Sequence, residues 1–210
     1  MRALFLDFDG LICDTERAAL AAWQDLYLRL GQVFPAPLWQ QMAGNSSGAQ
    51  VALADLAARL GRQVSPDELG WQRGRKAELA ELEPERPGVT AALDAARRRG
   101  VLTAVVSSSR AQWVYHHLAR LGLYDRFAFV VTGEDARFHK PAPHLYRVAL
   151  SRAGVDAAAA LAIEDSAIGV RAAKASGIAC LAIPQQPGVQ VPGADVVLDS
   201  LELFDLGGWP

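Results

Sequence analysis

Six short apolar runs punctuate the chain: Ala3 to Leu6, Leu102 to Val106, Phe127 to Val131, Leu161 to Ile163, Ala179 to Ile183 and Asp195 to Leu198. They contain β-branched and aromatic residues and lack the polar alternation of a half-exposed strand. They therefore predict strands buried on both faces of a parallel sheet. A helical pattern follows each run and supplies the right-handed crossovers. Val89 to Arg99 stops at Gly100 and Arg110 to Leu121 stops at Gly122, each glycine standing just past a last helical turn. The pattern predicts a doubly wound, Rossmann-like α/β core.

The interval from Thr15 to Arg86 breaks this rhythm, with helical periodicity, no convincing strand and a length beyond any simple crossover. Ala19, Trp23, Leu26 and Leu30 recur at helical spacing before Gly31, and Val51, Ala54 and Leu60 do so before Gly61. Ser65-Pro66-Asp67-Glu68 has the arrangement of a capping box with proline at the first helical position. The expected division is an α/β core made of residues 1–14 and 87–210 and an inserted helical domain, 15–86. The insert leaves just behind Asp7 and Asp9, so its connections are expected to hinge beside those carboxylates.

Composition narrows the function classes. With 210 residues, 51% of them hydrophobic, the chain can bury a substantial core. A net charge of -2, from 21 basic and 23 acidic side chains, offers no field for a polyphosphate backbone, so no nucleic-acid partner is expected. No apolar run approaches the ~18 residues of a spanning helix, and no membrane partner is expected. The first residues reach Asp7 too soon to hold a signal-peptide core. Cys13 and Cys180 lie far apart and form no metal-type pair, which suits buried reduced thiols. A cytoplasmic, monomeric protein is the expectation.

The candidate chemistry lies at strand ends. Asp7-Phe8-Asp9 closes the first run, and alternation sends the two carboxylates to the same side of the backbone. That end of a parallel sheet is where ligands bind. Carboxylates this close repel unless a cation or a proton intervenes. A solvated Asp-Gly turn is the plain alternative. Ser107-Ser108-Ser109 ends the second strand and opens a helix, presenting hydroxyls and N–H groups to an anion; a helix N-cap would account for one of these serines. Lys140 is held in His139-Lys140-Pro141-Ala142-Pro143 between rigidifying prolines, and Glu164-Asp165 adds carboxylates after an apolar strand. Together these residues read as phosphoryl transfer, with a carboxylate nucleophile and with Mg²⁺ and Lys140 neutralising the phosphoryl oxygens.

Asp7-Phe8-Asp9-Gly10-Leu11-Ile12-Cys13-Asp14-Thr15-Glu16, Val105-Val106-Ser107-Ser108-Ser109, Lys140-Pro141-Ala142-Pro143 and Ile163-Glu164-Asp165-Ser166-Ala167-Ile168-Gly169-Val170 resemble, in order, the four signature motifs of the haloacid dehalogenase superfamily. The helical insert is similar to the cap of its β-phosphoglucomutase-like and phosphoglycolate-phosphatase-like branch. The resemblance implies Asp7 as nucleophile and Mg²⁺ ligand. It implies Asp9 as the acid and then the base, its backbone carbonyl reaching the metal. Ser107 and the Ser108 amide would hold the phosphoryl group, and Lys140 would bridge it to Asp7. Asp165 would ligate Mg²⁺ directly, and Glu164 through water or from behind.

Departures from the family sort its branches. β-Phosphoglucomutases carry a histidine and an arginine where this chain has Ala19 and Ser47, which tilts the reading from mutase towards phosphatase. Haloacid dehalogenases lack the second aspartate, so Asp9 argues against dehalogenation. His139 replaces the usual glycine and reads as a solvated loop residue. Arg110 stands where branch members place a substrate-facing base. Gly44-Asn45-Ser46-Ser47 interrupts the cap helices, and the small polar Asn45, Ser46 and Ser47 suit hydroxyls of a sugar or polyol phosphate. The expected partner is a small phosphorylated metabolite. A phosphosugar mutase and a phosphoaspartate signalling module are the alternatives. A signalling receiver domain would be shorter and would have no helical insert.

Overall fold

The computed structural model describes residues 1–42 and 48–208. The chain divides into two compact units, Met1–Cys13 with Pro84–Pro210, and Asp14–Glu83. The return to the first unit comes at Pro84 because Glu85 pairs antiparallel with Cys13 and the Arg86 N–H donates to the Ile12 carbonyl at 2.8 Å.

In chain order the elements are β1 (Ala3–Leu6), α1 (Thr15–Arg29), α2 (Ala36–Met42), α3 (Gly48–Leu60), α4 (Pro66–Ala80), α5 (Val89–Arg98), β2 (Leu102–Val106), α6 (Ala111–Arg120), β3 (Phe129–Val131), α7 (His144–Ala153), β4 (Ala160–Glu164), α8 (Ala167–Ala175), β5 (Ala179–Ala182) and β6 (Val196–Val197). The first unit holds one six-stranded sheet, order β3-β2-β1-β4-β5-β6, with every pairing parallel. Strand order reverses beside β1, which makes the carboxyl ends of β1 and β4 the crevice where such sheets bind ligands.

Alternation along the buried strands divides the core into two layers. Leu4 and Leu6 of β1, Leu161 and Ile163 of β4 and Leu181 of β5 pack with Leu93 of α5 and Leu118 of α6. Ala3, Phe5, Ala104, Ala162 and Ala182 face the other way, onto Leu145 and Tyr146 of α7 and Val170 of α8. Register then fixes the site, because Leu6 pairs with Val105 on one side and Ile163 on the other. One residue further, Asp7, Val106 and Glu164 stand abreast.

Three strands, β3, β5 and β6, are shorter than their apolar runs. Phe127 is buried but follows a turn of 3₁₀ helix, and β3 starts only at Phe129. No helix joins β5 to β6; Pro184-Gln185-Gln186-Pro187-Gly188 makes that connection a loop. Side chains also bond main-chain groups of the sheet near its borders. Arg152 donates to the Val130 carbonyl of β3 at 3.0 Å. Asp195, paired with Lys174, accepts from the Cys180 N–H at 2.7 Å.

The second unit is helical among its described residues. Trp23, Leu26 and Tyr27 of α1, Leu38 and Met42 of α2, and Ala52 and Leu56 of α3 form its own core. Buried Tyr27 donates its hydroxyl to the Ala52 carbonyl at 2.9 Å, so the polar tip is satisfied. Arg75 of α4 meets Asp25 of α1 at 2.8 Å. Ser65 caps α4 reciprocally, its Oγ accepting from Glu68 N at 3.2 Å and its N–H donating to Glu68 Oε2 at 2.7 Å. Among the described residues no helix is long and apolar enough to cross a membrane.

Arg62 first, and then the Ser65 N–H, hold the Glu68 carboxyl down at about 2. Its folded pKa lies below the ordinary value, so its stabilisation is present at neutral pH and is lost as pH falls through about 2. Ser65→Ala removes the other half of the cap. Urea melts at neutral pH should place that variant about 1 kcal/mol below the parent; an unchanged midpoint would show that the cap contributes nothing.

Candidate active site

Lys140 gathers the strand ends. Its Nζ lies 2.6 Å from Asp7 Oδ1, 2.7 Å from the Val106 carbonyl and 2.6 Å from Glu164 Oε1. These partners come from the ends of β1, β2 and β4, the level that register had brought abreast. All three ionisable groups are buried, with Glu164 at 0% exposure. Charges removed from water survive only when paired and hydrogen-bonded. Tyr146, on the α7 face, supplies one further bond by donating its hydroxyl to Glu164 Oε1 at 2.5 Å.

The electrostatics follow from burial. Burial pushes Asp7 up to about 7 against the pull of Lys140, with Glu164 and Asp9 adding to the rise. Burial raises Glu164 as well, with Lys140 and Tyr146 opposing it. On Lys140 burial acts against the charge, but Asp7 and Glu164 outweigh it and hold the ammonium above its ordinary range. One cation thus faces more carboxylate than it can neutralise.

Asp7, Glu164 and Asp165 each offer an oxygen, all within 4.8 Å of one another. Glu164 Oε2 is buried with no hydrogen-bond partner, while Asp165 Oδ2 accepts from Gln185 Nε2 at 2.9 Å. An all-oxygen, acid-rich set with excess negative charge fits a hard divalent cation. Such a charge would also draw Asp7 down into its ionised form. The backbone makes room for this cluster at two glycines. Gly10 turns at φ +83°, and a Cβ there would run into Asp165 and meet Gln185 Nε2 at 2.7 Å. A Cβ on Gly169 would strike the Glu164 carboxylate.

Asp9 has a different environment. Its Oδ1 accepts from Trp113 Nε1 at 2.9 Å, and its Oδ2 from Ser109 Oγ at 2.5 Å and Ser107 Oγ at 3.4 Å. Ser107 Oγ also accepts from the Ser109 N–H at 3.0 Å, and Ser108 Oγ accepts from the Lys140 N–H at 3.3 Å. None of the three serines caps α6: the N-cap is Arg110, without a side-chain bond.

The structure therefore brings Asp7, Asp9, Ser107, Ser108, Lys140, Glu164 and Asp165 to one end of the sheet. Arg110 is exposed beside Ser109. His139 is exposed, with Nε2 2.9 Å from the Gly133 carbonyl. Asn45, Ser46 and Ser47 lie outside the described residues. Sequence reasoning gives Ser109 no role of its own beyond its triplet and passes over Trp113, Tyr146 and Gln185. Ser109 stood in a visible serine triplet. Tyr146 looked like any apolar position of α7, and Gln185 like any loop residue.

Comparisons with known proteins identify the family. The haloacid dehalogenase-like hydrolase family matches residues 1–177. The Bacillus subtilis (strain 168) protein "Putative phosphatase YhcW" is 37% identical over 89% of this chain and 84% of its own. A Thermotoga maritima "Phosphorylated carbohydrates phosphatase" is 27% identical over 85% of this chain and 82% of its own. A solved Thermotoga maritima structure, described as a "putative beta-phosphoglucomutase", superposes with a TM-score of 0.82 at 25% identity, covering 96% of this chain and 95% of that one. With four motifs converging on one sheet edge and the family matched across most of its length, this chain belongs to the haloacid dehalogenase-like hydrolases.

Proposed function

We propose that the chain is a Mg²⁺-dependent phosphatase that hydrolyses a small phosphorylated metabolite, a sugar phosphate or similar ester, through an aspartyl phosphate on Asp7. The observation that carries this reading is the buried contact of Asp7 with Lys140 at 2.6 Å, with Asp9 two residues away on a separate set of donors. Two carboxylates in unlike surroundings suit two roles, nucleophile and proton carrier.

In the first step an Asp7 oxygen attacks phosphorus, the bond to the leaving oxygen breaks, and Asp9 gives that oxygen its proton. In the second step water attacks the phosphorus of the aspartyl phosphate and loses a proton to Asp9, and the Asp7 oxygen departs as carboxylate. Ser107 and the Ser108 N–H orient the phosphoryl oxygens, and Lys140 keeps Asp7 aimed while offsetting charge. Asp7, Asp165 and the Asp9 backbone carbonyl would hold Mg²⁺, with Glu164 behind them. Bound there, the ion would neutralise phosphoryl oxygens as charge develops. The helical insert, Asp14–Glu83, is the source of substrate specificity in this reading.

The carbohydrate-phosphate substrates named for the Thermotoga maritima phosphatase support the ester class. The mutase description of the solved relative favours a second reading, in which the phosphoryl group returns to another hydroxyl. Ala19 on α1, where mutases place histidine, weighs against it. Incubation with a hexose 1-phosphate separates the two: free phosphate is expected, and an isomeric hexose phosphate would establish the mutase.

Asp7→Asn should abolish release of 4-nitrophenol from 4-nitrophenyl phosphate in Mg²⁺; retained turnover would remove Asp7 as nucleophile. Asp165→Asn replaces a charged ligand with a neutral one, so half-maximal activity should need about tenfold more Mg²⁺. An unchanged metal titration would take Asp165 out of the ion site.

A further inference from the structure

The indole of Trp113 touches Asp9 and does nothing in the mechanism so far. Its Nε1–H points at Asp9 Oδ1 at 2.9 Å, whereas Oδ2 is met by the hydroxyls of Ser109 and Ser107. The two carboxylate oxygens therefore differ chemically. An indole nitrogen only donates, so the oxygen it binds must remain an acceptor, while a serine hydroxyl can donate or accept.

The ring itself is braced. Trp113 sits edge-on to His117 with centroids 4.3 Å apart, and His117 stacks on Phe8 at 6.1 Å. Phe8 is the fully buried residue between Asp7 and Asp9. The contacts thus run from Asp9 through Trp113 and His117 back to the backbone that carries Asp9. Any rotation of the Asp9 side chain must break a bond to a ring held on its far side.

We propose that Trp113 is a positioning residue that fixes the Asp9 carboxyl group and dictates which of its oxygens carries the transferable proton. With Oδ1 kept as an acceptor, the proton resides on Oδ2. That is the oxygen whose present partners are hydroxyls, and the leaving oxygen of an alcohol is a partner of the same kind. As the phosphorus–oxygen bond breaks, the proton passes from Oδ2 to that oxygen, Asp9 becomes a carboxylate, and Trp113 still holds Oδ1. This inference rests on the reading of Asp9 as the acid, and the experiment separates the two.

Proton donation matters most for a poor leaving group. The test is single-turnover release of the leaving group in Mg²⁺, using 4-nitrophenyl phosphate and whichever hexose or polyol phosphate the parent protein hydrolyses fastest. Trp113→Phe keeps the aromatic packing and deletes the donor. Its loss of rate should be about tenfold greater with the alkyl ester than with the aryl ester, since a positioned acid typically contributes about 10²–10⁴-fold and Trp113 acts only through it. Asp9→Asn should show the same selectivity, and adding Trp113→Phe to it should change the ratio less than about twofold. Equal losses with the two esters in Trp113→Phe, while Asp9→Asn discriminates, would overturn the role of Trp113 alone. Absence of discrimination in Asp9→Asn would overturn the acid itself, and this inference with it. If Trp113→Phe melts early, replacing Trp113 with 3-benzothienylalanine preserves the ring shape and removes only the N–H, and the same ratio decides.

Discussion

Lys140 lies between two buried carboxylates, and the arrangement of the sheet edge depends on that one cation. Asp7 and Glu164 are brought abreast by parallel pairing of β1 with β4, which would otherwise set like charges side by side out of reach of water. Breaking a buried pair by removing one partner typically costs ~3–5 kcal/mol, because the charge left behind has no solvent. The ammonium, the Val106 carbonyl and the Tyr146 hydroxyl together make the burial tolerable. Even so the balance remains negative, and burial holds Asp7 up at about 7. The structure has paired these acids only in part, and the shortfall leaves an acidic cluster whose oxygens suit a cation.

Asp7 and Asp9 lie two residues apart but meet different surroundings. Asp7 faces a lysine inside the sheet edge; Asp9 faces an indole and hydroxyls from the start of α6. Phe8 between them is buried in the leucine-rich layer, anchoring both to the core. A helical insertion here attaches to a backbone already held from below. Gly10 completes the turn at positive φ where a Cβ would run into Asp165, so Asp7, Asp9 and Asp165 converge on one short loop.

Much of this was legible in the chain. β1 and β2 fall where the apolar runs fall, since short hydrophobic stretches bounded by charge have few alternatives. The capping box of α4 appears because its chemistry is local. The principal site residues came from strand ends, where polar groups after buried strands need a reason. What escaped depended on packing across the sequence. Trp113 reaches Asp9 over 104 positions, and Tyr146 reaches Glu164 only because α7 crosses the alanine-rich face. Phe127 shows that an apolar run records burial, whereas strand pairing also requires a neighbour in register.

The two edges of the sheet have a consequence for the protein in bulk. An open parallel sheet ends in unpaired N–H and carbonyl groups, a template on which another chain can add. Here β3 has three residues and β6 two. The Arg152 guanidinium occupies a carbonyl of one border, and the Asp195 carboxylate takes an N–H next to the other. A second molecule arriving at the β3 border would have to displace a charge, and at the two-residue β6 border it would gain only a rung or two of ladder. Each border is therefore a poor main-chain template for a second copy while the fold is intact.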